Sequence, residues 1–180
     1  MKLFLICFLL FISLPSQAQK RISFIEEYID FTIDTSRFEI NGIFVFSNST
    51  GQTAQQNILF PLAFGTDSIK SIRVYNLSYN EKVDYKFMNR GILFKIEVKP
   101  KDTVSLNIAY TQPVKKENTY ILRSTDSWGE PIKRAKYSLT LLDALVIERL
   151  SYPPDSISDS VLFWEKKDFL PEKDFVIILN

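Results

Sequence analysis

The chain has 180 residues, with 22 Lys and Arg against 21 Asp and Glu, no histidine and one cysteine. The missing imidazole removes the usual base of a Ser-His-Asp or Cys-His site. With the lone thiol at Cys7, it also removes essentially every ordinary zinc or copper site. The even charge balance disfavours nucleic acid and anionic membrane as partners, because both depend on clustered positive charge.

Residues 1–18 have the layout of a signal peptide. An early cation, Lys2, precedes an apolar run over residues 3–14, and Pro15, Ser16, Gln17 and Ala18 follow. That run is too short to cross a bilayer as a helix, and the small residues Ser16 and Ala18 suit cleavage after Ala18. Removing 18 of 180 residues leaves 162, with 21 basic and 21 acidic side chains, since Lys2 leaves with the leader. Cys7 leaves as well, so the mature chain is expected to stand without a disulfide, metal or cofactor as one secreted or periplasmic domain over residues 19–180. No transmembrane segment is expected in it.

Along the mature chain apolar residues recur at every second position between turn signals, which predicts strands throughout. Ile29, Phe31 and Ile33 alternate up to a turn at Asp34-Thr35-Ser36, and Phe38, Ile40, Phe44 and Phe46 follow it. Gly42 interrupts the second of these runs and suggests a bulge or bend. Glu26, Glu27 and Asp30 read as solvated strand charges, with Glu26 and Asp30 on one face about 13 Å apart, too far for a retaining glycosidase pair.

Residues 58–62 and 69–77 are the next strands. Residues 83–110 read as a three-stranded meander, with turns at Asn89-Arg90-Gly91 and Lys99-Pro100-Lys101-Asp102. Strands over 120–123, 135–141, 146–152, 161–165 and 175–179 bring the count to about twelve. The spacing predicts an all-β fold, a β-sandwich of mostly antiparallel strands. Leu141, Leu142, Leu145, Val146 and Leu150 also fit one face of a helix, so that alternative stays open.

Chemical motifs are few. Asp34-Thr35-Ser36 lacks the glycine of an aspartic-protease turn, no mature Ser precedes a Lys by three, and five glycines form no phosphate loop. Asp155, Ser156, Ser158 and Asp159 read as a polar turn in preference to a calcium loop, which Ile157 would interrupt. Asn48-Ser49-Thr50 and Asn76-Leu77-Ser78 match the glycosylation tripeptide. Trp164 is expected to pack within its strand.

Trp128 falls in a loop, with Asp126 and Glu130 beside it, and these three are the candidate binding residues. An indole exposed there would stack on a sugar or anchor a partner chain; folded back, it would close the end of the sandwich.

The stretch from Tyr120 through Trp128-Gly129-Glu130-Pro131 to Lys136-Tyr137-Ser138-Leu139, with Ala135 before it, looks like secreted domains of unknown function with a Trp-Gly-x-Pro turn. It also resembles the N-terminal β-domain of the zinc aminopeptidases related to leukotriene hydrolase, where a Trp/Phe-Asp-Glu-Pro turn precedes a Lys-Ala-x-Phe strand. The resemblance spans about thirty residues, an extent set against the single-domain size of ordinary sandwiches. It implies an all-β fold with residues 135–141 and 146–152 both as strands. It implies no peptidase activity, because in that family the zinc ligands belong to a separate catalytic domain.

The leading functional expectation is a non-enzymatic module that binds another protein in the cell envelope or extracellular space, through exposed sheet edges. A carbohydrate-binding module built on Trp128 is second. A carboxylate-dependent glycoside hydrolase is third, and would need two acids converging in one cleft.

Overall fold

A computed structural model describes residues 22–64, 68–69 and 71–180. The leader, its cleavage point, Lys2 and Cys7 lie outside these residues. Among the described residues the chain is all-β, with fourteen strands and one short 3-10 turn. No described helix is long and apolar enough to cross a membrane.

The architecture is a sandwich of one long sheet against two short ones. In chain order the strands are β1 (Ile22–Ile33), β2 (Arg37–Asn48), β3 (Ala54–Pro61), β4 (Ser71–Asn76), β5 (Glu81–Lys82), β6 (Tyr85–Met88), β7 (Gly91–Val98), β8 (Thr103–Pro113), β9 (Glu117–Tyr120), β10 (Ile132–Leu141), β11 (Ile147–Leu150), β12 (Ser156–Ser158), β13 (Val161–Phe169) and β14 (Phe175–Leu179). Eight of them form the long sheet, ordered β12-β13-β10-β1-β2-β8-β4-β5; the short sheets are β3-β7-β6 and β11-β14-β9. Every pairing is antiparallel except β1 with β10.

Aromatic contacts locate the two short sheets over the long one. Phe175 of β14 lies 4.9 Å from both Phe31 of β1 and Trp164 of β13, measured between ring centroids. Phe60 of β3 meets Phe44 of β2 at 5.3 Å and Tyr110 of β8 at 6.0 Å, both edge-on. The short sheets therefore sit side by side over different parts of one floor. Trp164 packs as expected, and its Nε1–H donates to the Tyr152 carbonyl at 3.1 Å.

The first hairpin forms where the sequence predicts a turn. Asp34 Oδ1 accepts from the Ser36 and Arg37 amides at 2.7 and 2.9 Å, and from Ser36 Oγ at 2.7 Å, an Asx turn in place of protease chemistry. These donors hold the Asp34 carboxyl down at about 2, the Ser36 hydroxyl foremost.

Three expectations are corrected. Gly42 sits in an unbroken ladder opposite Ile29, and the register shift is instead on β1, between Phe24 and Glu26. A Cβ on Gly42 would fall within 2.6–2.8 Å of the Phe44 ring and Ile29 Cδ1, so glycine there makes room for core side chains. The meander breaks at residues 99–102: β7 pairs with β3 and β6, whereas β8 pairs with β2 and β4. The inward rows Ile92, Phe94, Ile96, Val98 and Val104, Leu106, Ile108, Tyr110 are all buried, and they belong to opposite layers of the sandwich. A period of two is the same for neighbours in one sheet and for strands of facing sheets.

Over 141–150 the expected strand forms in place of the helical alternative. Leu142 N–H donates to the Ile33 carbonyl, Asp143 turns the chain at φ 61°, and β11 begins at Ile147. Finally, the strand expected at 120–123 ends at Tyr120, where the 3-10 turn Arg123–Trp128 follows.

Asn48, with no exposed surface, pins the crossover from β7 to β8. Its Nδ2 lies 2.8, 3.0 and 3.1 Å from the carbonyls of Gln52, Val98 and Lys99, and its Oδ1 accepts from the Thr50 amide and hydroxyl. The folded protein thus leaves no room for a glycan on this residue. Asn48→Ala is expected to lower the unfolding free energy by about 3 kcal/mol, because buried carbonyls and an amide lose their partners at once. Urea denaturation of the two proteins measures it, and a loss within about 0.5 kcal/mol would contradict this role.

Candidate functional site

Where the two short sheets meet above the long sheet, a groove of about 500 Å³ opens. Its floor is Phe24 and Glu27 of β1 with Phe44 and Phe46 of β2. One wall is β3, of which six consecutive residues, 56–61, line the groove. A sheet face would offer alternate residues, so six in succession mean that the groove runs along the strand's edge. Among the described residues β3 pairs with β7 alone, leaving that edge without a strand neighbour.

The other wall is the end of β9 and the 3-10 turn: Tyr120, Ile121, Ser124, Thr125, Ser127 and Trp128. Asp174 Oδ1 anchors the turn by accepting from the Leu122 and Arg123 amides, each at 2.9 Å. Thr125 Oγ1 donates to the Leu122 carbonyl at 2.8 Å, and Gly129 ends the turn in the left-handed conformation at φ 69°, which favours glycine. Trp128 is carried inward to meet Phe24 at 5.9 Å and Phe46 at 5.5 Å. It is half-buried, both closing this end of the sandwich and lining the groove.

Asp126 and Glu130, expected beside Trp128 in one site, are both exposed and do not line the groove. Of the three candidate residues, Trp128 alone reaches the groove.

The acid that does reach it is Glu27, 1% exposed, and its expected solvation is corrected. The register shift in β1 leaves Ile25 and Glu26 both half-buried and puts Glu27 on the inward row with Ile29, Phe31 and Ile33. Tyr137 donates its hydroxyl to Oε1, while the Tyr120 hydroxyl lies 3.5 Å from Oε2, a long contact that leaves this oxygen with spare acceptor capacity. Burial pushes the Glu27 carboxyl up to about 7, against the two tyrosine hydrogen bonds, which lower it. Among the described residues no Lys or Arg lines the groove.

Glu26 and Asp30 are on the outer face, as read from the alternation. Glu26 accepts from Tyr28 Oη and Asp30 from Ser138 Oγ, both at 2.6 Å. Asp155, in the expected polar turn, accepts from the Glu165 amide at 2.8 Å and pairs with Lys166 at 2.7 Å. Among the described residues no group of three or more acidic, His or Cys side chains is gathered closely enough to hold a metal ion.

The inward position of Glu27 was available in the sequence, since 27 is in phase with 29, 31 and 33. The opposite phase of Phe24 and Ile22, which fall inward only through a register shift, obscures this signal, as does the usual solvation of strand carboxylates.

No known protein-family profile matches the sequence, and no curated protein matches it. Solved structures match the fold. A candidate nutrient-binding protein of Legionella pneumophila aligns at a TM-score of 0.66 and 13% identity, over 89% of this chain and 67% of that one. An M1 zinc metallopeptidase of Deinococcus radiodurans aligns at 0.53 and 7% identity, over 89% of this chain and 43% of the enzyme. Native yeast LTA4 hydrolase aligns at 0.50 and 10% identity, over 88% of this chain and 29% of the enzyme. The likeness covers only part of each peptidase and fits the resemblance to the family's N-terminal β-domain. At such identities it speaks for the fold.

Proposed function

We propose that the chain is a non-enzymatic β-sandwich, working in the periplasm or extracellular space, which holds a segment of another protein in the groove between β3 and β9. The observation that carries this reading is the run of six consecutive β3 residues along the groove, an open sheet edge beside an apolar floor. An extended segment added to such an edge gains main-chain hydrogen bonds, and its alternate side chains enter the space below. The name of the Legionella neighbour is in keeping with a binding role. The leader-like residues 1–18 support export.

Catalysis finds little support in the same groove. Glycoside hydrolysis needs two carboxylates about the scissile bond, and among the described lining residues Glu27 is the one acid. A glycan remains the second reading, favoured by the Trp128 ring on the groove wall.

The test is crosslinking and affinity capture from the protein's own cell envelope, with wild type beside Gln56→Trp. Gln56 is a half-buried wall residue outside the hydrophobic core, so the larger side chain fills the groove. The expected result is a dominant protein partner whose recovery falls at least about tenfold with Gln56→Trp, an energy of about 1.4 kcal/mol. Equal recovery by both proteins would refute the groove as the site. If no protein is captured and glycans bind wild type but not Trp128→Ala, the second reading takes its place.

A further inference from the structure

We infer that the tip of the β6-β7 hairpin docks on an anionic lipid bilayer, its apolar side chains entering the headgroup boundary and its cations meeting the phosphates. The tip is a two-residue loop: Met88 pairs with Gly91, and Asn89 and Arg90 turn the chain between them. It holds large apolar side chains in the open. Phe87 is 55% exposed and Met88 45%. Leu59 of β3, 60% exposed, stands opposite Leu93 of β7, and Met88 is the diagonal neighbour of Leu93 on the same outer face.

The tip is apolar on both faces, which favours a bilayer over a folded partner. Phe87 follows Tyr85 on the inward row, opposite the fully buried Ile92, yet the core does not cover it; Met88 is on the outer row. A flat protein surface would cover one of these faces, whereas lipid closes around both. Charge is complementary as well. Between Asp84 and Glu97 the sequence holds Lys86, Arg90 and Lys95 and no acid, and all three cations are exposed. The even balance of the whole chain averages over this cluster. Each basic side chain near anionic headgroups strengthens binding about fivefold, and an apolar anchor joined to a basic patch attaches where either alone is marginal. Tyr85 steadies the base of the hairpin: its ring meets Phe87 edge-on at 5.5 Å, and its hydroxyl donates to the Ile72 carbonyl at 3.1 Å. The tip is thus presented ready-formed, so little order is lost on docking.

The test mixes the protein recovered from its own cell envelope with vesicles of equal parts phosphatidylglycerol and phosphatidylcholine, or of phosphatidylcholine alone, and measures bound protein by flotation. Binding to the anionic vesicles is expected to be at least about tenfold tighter, about 1.4 kcal/mol, and to weaken as salt is added. Phe87→Ser with Met88→Ser should lower binding at least about tenfold. Lys86→Gln with Arg90→Gln should remove the preference for anionic vesicles. All four side chains are exposed, so these substitutions leave the core intact.

A second readout needs no variant. Amide hydrogen exchange over residues 85–92 should slow when anionic vesicles are present. No binding to either vesicle, equal binding by wild type and the Phe87/Met88 double variant, or slowed exchange confined to other residues would each overturn the membrane assignment. So would a wild-type dimer that the same double variant dissociates, with vesicles left unbound; the tip would then be a contact between copies of the chain. Lys86, Phe87, Met88 and Arg90 do not line the groove between β3 and β9, so partner capture and its block by Gln56→Trp stand or fall separately.

Discussion

At pH 8, Glu27→Gln should unfold at higher denaturant concentration than wild type, by up to about 3 kcal/mol, and the advantage should shrink toward pH 5. The sign follows from the two states. In the unfolded chain Glu27 titrates near its ordinary 4.5, whereas in the folded protein burial raises it to about 7. Below 4.5 both states hold the proton, and the group has no net effect. Between 4.5 and 7 the unfolded chain ionises first, so stability declines as pH rises, and above 7 the full penalty of a buried charge is present. Tyr120 from β9 and Tyr137 from β10 face the carboxylate; burial, first of all, and Glu27 itself raise both phenols far out of this range, so they stay neutral donors.

Asp34 acts with the opposite sign in a lower window. Its depressed carboxyl contributes stability that is present above 3.8 and lost as pH falls toward about 2. Urea unfolding of wild type and Glu27→Gln at pH 5, 6, 7 and 8 separates the two groups. Parallel curves for the two proteins across that range would show that Glu27 does not titrate there. A carboxylate that weakens the fold at neutral pH, where an amide of the same shape would not, is the kind of local conflict found at functional sites.

Phe175→Ala should cost about 4 kcal/mol. Phe175 is 1% exposed and its ring meets Phe31, Tyr137, Tyr152 and Trp164, at 4.9–5.9 Å between centroids. It joins the β11-β14-β9 sheet to the long sheet through Phe31, Tyr137 and Trp164. Truncation leaves a cavity that four large rings cannot collapse to fill. The loss should appear as a lower denaturation midpoint by near-UV dichroism, which reports the packed aromatic rings. A cost below about 1.5 kcal/mol would mean that the short sheet is held mainly by other contacts. Because β9 forms one groove wall, the same variant should also weaken partner capture at temperatures where it remains folded.

The site was partly legible in the sequence and partly not. Trp128 was singled out by its type and its turn, and it does line the groove. Asp126 and Glu130 are its neighbours in sequence, yet both are exposed and neither lines the groove. Glu27 is a charge on a strand by type, but its phase with Ile29, Phe31 and Ile33 places it inward. Nothing local marks Gln56 or Ser124 as groove residues. They become so only because two sheet edges, about sixty residues apart in the chain, stop short of each other above β1 and β2.

Sequence alone was sufficient for what depends on local alternation and turn chemistry. These are the all-β class, the Asp34 turn, the inward rows of β1, β2, β7 and β8, and the buried Trp164, because side-chain period and Asx geometry act within a few residues. Tertiary structure decided everything that depends on which strand lies beside which. It split β7 from β8 into facing layers, moved the bulge from Gly42 to β1, and replaced the possible helix at 141–150 with a turn and an edge strand. A strand's hydrogen-bonding edges are identical along its length and carry no sequence label, so pairing is settled by the summed packing of both layers. The groove with Glu27 at its floor is a product of that settlement.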